Sequence, residues 1–141
     1  MPGKRKIFVS EFDMKRLRKL VELLMENQSD DREKKHVELL HEALREAEVV
    51  EPEKIPGNVV TMNSIIQVRN LDTGLQTVYQ LVFPGEADIR QNKVSVLAPI
   101  GASLIGCRVG GIVKLQVPAG LTTLKIEEIR YQPESAGDFH L

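Results

Sequence analysis

The chain has no tryptophan, a single cysteine and only 4% aromatic residues. A core with so few rings has to be built from aliphatic side chains. It also cannot line the deep aromatic pocket that desolvates a substrate amide, which speaks against prolyl-isomerase chemistry. One cysteine, Cys107, leaves no internal disulfide and fits a reducing compartment; it reads as a small apolar core residue. The three histidines are scattered: His36 and His41 are five apart, a poor spacing for one helix face, and His140 lies near the end. No Cys/His cluster, Gly-rich phosphate loop or Gly-x-Ser-x-Gly elbow is present. No charge sign dominates, with a net of −1 and a pI near 6.3, so the chain has no global attraction to nucleic acid. Helix-borne basic residues Lys15, Arg16, Arg18 and Lys19 are flanked by Glu11, Asp13, Glu22 and Glu26, the mixture of a solvated helix and not of a sequence-specific DNA reader. The one apolar run near the start, Ile7-Phe8-Val9, is far too short for a leader or a membrane span, so the expected location is cytoplasmic, with no membrane partner.

What remains is 42% apolar residues in 141, enough for one domain with a small accessory element. Ser10-Glu11-Phe12-Asp13 reads as a helix N-cap with an acid three residues on. Met14, Leu17, Val21 and Leu24 follow at spacings of 3, 4 and 3, widened by Leu20 and Met25. After Asn27-Gln28-Ser29 the same spacing recurs at Val37, Leu40, Leu44 and Ala47. Two matching seams predict a short antiparallel helical hairpin over residues 1–50, reaching only ~24 Å. Glu48–Gly57, with Pro52 and Pro56, reads as a linker, placing the connection at 51–57 and a second domain at 58–141. There the period drops to two. Val59–Met62, Ser64–Arg69, Leu75–Phe83, Ile112–Val117 and Leu121–Tyr131 read as strands, with a loop at Asn70–Gly74. The pattern predicts an α+β half-barrel of antiparallel strands curled round one short helix.

That short helix sits in Asn92–Gly111, NKVSVLAPIGASLIGCRVGG. A strand ends at Pro99, one apolar turn follows, and Gly106 stands where a C-cap wants positive φ. The run Ser95–Gly106, with Val59–Ser64 before it and Tyr131–Asp138 after it, resembles the C-terminal domain of the Gre transcript-cleavage factors. Within that superfamily it is most similar to the regulators of nucleoside diphosphate kinase. One departure is Gly110-Gly111, where the family commonly has Gly-Asp. The resemblance covers residues 55–141 well and the first fifty in layout. It implies an FKBP-like C-terminal domain behind a helical hairpin.

It also implies a partner, core RNA polymerase, held at the rim of the secondary channel by Leu97, Ala98, Pro99, Ile100 and Gly101. Gre factors often carry Asp-Ser-Pro where this chain has Leu97-Ala98-Pro99, so the contact becomes more apolar. At the hairpin tip Asp30, Asp31 and Glu33 offer an Asp-x-x-Glu spacing that in Gre factors helps hold a catalytic Mg²⁺. The same residues form an ordinary capping box, and so short an arm stops before the polymerase active site. The expectation is therefore a non-enzymatic regulator with no resident cofactor, no metal and no small-molecule substrate. It competes with Gre factors and acts indirectly on nucleoside diphosphate kinase. The alternatives are a Gre-type cleavage stimulator using the acidic tip, and a binding module for a partner other than polymerase.

Overall fold

Ser10 is where extended backbone turns into helix. In the computed structural model, which describes residues 7–26, 31–117, 120–138 and 141, strand β1 (Phe8–Ser10) runs straight into helix α1 (Glu11–Glu26). The Asp13 N–H donates to Ser10 Oγ at 3.1 Å, the cap bond that Ser-x-x-Asp predicts. Helix α2 (Asp31–Arg45) returns alongside. Met14, Leu17 and Val21 are buried against Val37, Leu40 and Leu44, with Leu20, Leu24 and Ala47 partly covered. Met25, expected in the seam, is 43% exposed. It lines an open cleft on the solvent side of the hairpin with Val21 and Leu44.

The stretch from Glu48, read as the start of a linker, opens instead with strand β2 (Glu48–Val50), which pairs parallel to β1 with Val9 opposite Val49. A chain leaving α2 carries unpaired backbone groups, and β1 is there to take them: the Glu48 N–H donates to the Ile7 carbonyl at 2.8 Å. A 3-10 turn at Pro52–Lys54 follows, and Ile55 is buried with Phe8 and Val59 in a small second cluster.

Five strands make the main sheet: β3 (Ile65–Asn70), β4 (Gln76–Val82), β5 (Lys93–Ser95), β6 (Ile112–Val117) and β7 (Gly120–Tyr131), in the order β5-β4-β3-β7-β6. Four of them pair antiparallel as expected; β5 does not. It lies parallel to β4, with Leu81 opposite Val94, because residues 83–92 cross back before the chain re-enters the sheet. Val59–Met62, read as a strand, makes only one bridge, Val59 to Arg108, and then turns at Asn63, whose φ is 67°. Two short helices complete the fold, α3 (Pro99–Leu104) and α4 (Pro133–Ala136).

Gly106 ends α3's turn at φ 78°, and a Cβ there would lie 2.6 Å from Ile7 Cβ. The close approach lets β1 pass beside the central element. One aliphatic cluster runs through the molecule: Val9, Leu17, Val21, Leu40 and Leu44 of the hairpin segment join Met62, Ile66, Leu81, Leu104 and Ile126. Among the described residues, rings occur only at its border, as Tyr79 and Phe83.

Candidate functional site

The expected docking element begins where β5 runs out. Ser95 organises the turn: its carbonyl accepts the Ala98 N–H (3.0 Å) and its Oγ the Leu97 N–H (3.0 Å). Ala98 occupies the N-cap of α3 with extended geometry (φ −67°, ψ 150°), and no side chain caps the helix. Pro99 takes the first helical position, where a missing N–H costs nothing. Leu97, Ala98, Pro99 and Ile100 are all half-buried, and Leu97 and Ile100 also pack on the main core. Pro99 is therefore only partly exposed.

Gly101 differs in kind. It is buried, and a Cβ on it would stand 2.0 Å from the Ser95 carbonyl oxygen. Its role is to let helix and strand end touch; it presents no surface. The accessible part of the element is thus Leu97, Ala98, Pro99 and Ile100, an apolar ledge with a free helix N-terminus at its edge.

At the other candidate, Asp30 lies outside the described residues. Asp31 opens α2, and Glu33 lies in its first turn; their side chains are likewise outside the description. Among the described residues no three His, Cys, Asp or Glu side chains gather as a metal-binding set, and no helix is long and apolar enough to cross a membrane. His41 sits beside the cleft between α1 and α2, while His36 and His140 are outside the described side chains.

The sequence reading missed a polar junction where the hairpin meets the sheet. Asp13 is 1% exposed. Its Oδ2 accepts the Met62 N–H (3.1 Å) and its Oδ1 accepts Arg16 Nη2 (2.6 Å). Arg16 Nη2 also donates to the Leu141 carbonyl (2.6 Å), which takes a second bond from Asn63 Nδ2 (3.1 Å). The Arg16 guanidinium lies 4.0 Å from the Phe12 ring centre and 4.8 Å from that of Phe83. Its Nε is buried and, among the described residues, has no hydrogen-bond partner, so the ring faces are its neighbours. Arg16 is therefore not part of a solvated basic face.

Beside it Thr61 Oγ1 donates to Glu134 Oε1 (2.8 Å) and shares a hydrogen bond with Ser64 Oγ (2.9 Å). Burial pushes the Asp13 carboxyl above its ordinary 3.8, against the opposing pull of Arg16. Burial likewise raises Glu134, helped by the nearby Asp13 charge. The one available signal was Asp13 itself, an acid at the third helical position that the cap did not need.

A second polar group lies on the open face of the sheet. Glu127 accepts from Arg69 Nε (2.7 Å), Gln67 Nε2 (3.0 Å) and Gln76 Nε2 (2.8 Å), and these donors hold its carboxyl down to about 2. Nearby, Tyr131 donates its hydroxyl to Asp138, which pushes the phenol up to about 12.

Comparison with known proteins agrees with this architecture. Residues 55–131 match the family model for the C-terminal part of the transcription elongation factors GreA/GreB, and residues 5–50 match that for the Rnk N-terminus. The regulator of nucleoside diphosphate kinase from Escherichia coli K12 is 43% identical over 103 residues, 72% of this chain and 76% of that protein. GreA from Thermosipho africanus is 38% identical over 64% of this chain, which spans 57% of that longer protein. A solved GreA/GreB-type elongation factor from Nitrosomonas europaea superposes with a TM-score of 0.72 at 35% identity, covering 91% of this chain and all of the other. The Rnk-type hairpin followed by a Gre-type sheet, in that order and over nearly the whole chain, places the protein in the regulator of nucleoside diphosphate kinase family of the Gre transcription elongation factor superfamily.

Proposed function

We propose that the chain is a non-enzymatic transcription regulator that binds core RNA polymerase at the rim of the secondary channel. The ledge of Leu97, Ala98, Pro99 and Ile100 docks on the rim, and the hairpin partly fills the entrance. The observation that carries this reading is the pairing of a Gre-type sheet with a stubby hairpin. Its helices of 16 and 15 residues reach ~24 Å and end before the chemistry. Occupying the same rim, a bound copy excludes a longer Gre factor, so its mechanism is competition. Any influence on nucleoside diphosphate kinase is then indirect, through transcription. The acidic tip, Asp30, Asp31 and Glu33, contributes charge in the channel and holds no obligatory Mg²⁺.

The test is binding of the purified chain to core polymerase, wild type against a variant carrying Ala98→Arg and Pro99→Asp. Both positions are outside the main core, and an acid at the first turn of a helix is tolerated. Wild-type binding that the folded variant loses is the expected result. A backtracked complex provides the counter-test: Mg²⁺-dependent RNA cleavage stimulated by wild type and abolished by Asp30→Ala or Glu33→Ala overturns the competitor reading.

A further inference from the structure

Residues 84–92 carry the chain from the end of β4 back to the start of β5, and they do so without slack. The Asp88 N–H donates to the Lys93 carbonyl (3.0 Å), and the Lys93 N–H donates to the Asp88 carbonyl (2.9 Å). Inside this ring a 3-10 turn covers Ile89–Gln91, closed by the Asn92 N–H on the Ile89 carbonyl (3.2 Å). The Asp88 carboxylate turns inward to cap the Arg90 N–H (3.0 Å), and Asn92 takes the left-handed conformation at φ 55°. The Asn92 carbonyl is tied to the Gln80 N–H of β4 (2.9 Å), so the loop is stapled to the sheet as well as to itself.

At its apex stands Ile89, 87% exposed, the barest large apolar side chain among the described residues. Isolated surface hydrophobics are common, and exposure alone assigns Ile89 no role. Here a β-branched side chain with few rotamers stands on a loop closed by several backbone hydrogen bonds. Such an arrangement has little conformational entropy left to lose on association. The loop carries both signs: Glu86 and Asp88 are acidic, Arg90 is exposed with no ion pair among the described residues, and Lys93 lies at the base of the loop. A partner site that fits is a small apolar pocket with a polar rim.

The position of the loop says which partner. Asp88 faces Lys93, the first residue of β5, and the proposed docking ledge starts two residues after its last, Ser95. Loop and ledge thus bracket one three-residue edge strand. We infer that Ile89 is a second anchor for the same polymerase surface that receives the Leu97–Ile100 ledge, entering a small apolar pocket there. This rests on the polymerase reading above and adds to it the residue that sets register along the rim.

The experiment measures the affinity of the full chain for core RNA polymerase by biolayer interferometry. It compares wild type with Ile89→Ala, Ile89→Asp and a control, Leu75→Ala, an apolar residue 69% exposed on the β3–β4 turn. Ile89→Ala is expected to weaken binding about tenfold and Ile89→Asp by ~100-fold or more, with Leu75→Ala unchanged. Thermal midpoints stay at the wild-type value, because Ile89 contacts little of its own chain. If wild type binds, the ledge variant fails to bind, and Ile89→Ala matches wild type, this inference falls while the polymerase reading stands. An equal loss from Leu75→Ala also overturns it, since the effect is then one of general surface hydrophobicity. If wild type itself does not bind, the polymerase reading falls and the anchor with it.

Discussion

Three carboxylates show how differently one functional group behaves in this fold. Glu127 is surrounded by donors, so its folded-state carboxyl is depressed to about 2 from an ordinary 4.5. An acid depressed on folding stabilises the protein above its unfolded value, and that contribution drains away as pH falls toward the folded value. In urea titrations Glu127→Gln should therefore be less stable than wild type at neutral pH, and the gap should close as pH drops below 4.5. Asp13 and Glu134 have the opposite sign. Both are raised by burial, so ionising them in place costs stability, and that penalty vanishes below their unfolded values of 3.8 and 4.5. Carbon-13 NMR should find both carboxyls titrating above those values. The Asp13 charge is nonetheless needed where it stands: Asp13→Ala leaves the Met62 N–H without its acceptor and Arg16 without its anion, and should lower stability by about 3 kcal/mol in a denaturant titration. None of this could be read from the chain alone, because Asp13, Thr61 and Glu134 become neighbours only when three distant segments meet.

Helix α3 is the element on which the proposed docking depends, and its ends carry different constraints. Its N-cap residue, Ala98, already has cap geometry but no capping oxygen. Ala98→Ser supplies one and should stabilise the protein by about 1 kcal/mol, measurable as a higher thermal midpoint. Gly101→Ala has the opposite outcome. Its Cβ would press on the Ser95 backbone oxygen at 2.0 Å, so α3 must lift from β5, and both stability and any polymerase binding should fall together. Much at this scale was legible. The 3-4-3 spacing of Met14, Leu17, Val21 and Leu24 gave α1, and Pro99 and Gly106 marked the ends of the central turn. The failures share a cause. Val59–Met62 has the composition of a strand, but its groups bond to Cys107 and Gly106 on a crossing segment, so no ladder forms. Strand β5 was found with the wrong direction, because local alternation fixes a strand's faces and says nothing of its neighbour's polarity.

For the whole molecule the decisive feature is that hairpin and sheet share one core. Helix signal and sheet signal should accordingly disappear together. Circular dichroism at the helix band and the fluorescence of Tyr79 and Tyr131, both on the sheet, should report one midpoint in denaturant; two separated midpoints would contradict the shared core. The two seams and the change of period were enough to predict the architecture. The depth of its integration was not, since Glu48–Val50 looks like linker until β1 and β2 are seen side by side.

That parallel pair has a mechanical result. One strand precedes the hairpin and the other follows it, so both roots are bolted to adjacent points and the helices cannot pivot about either. The hairpin behaves as a gauge of fixed length and heading: adding seven residues to each helix should lengthen it by roughly 10 Å without turning it.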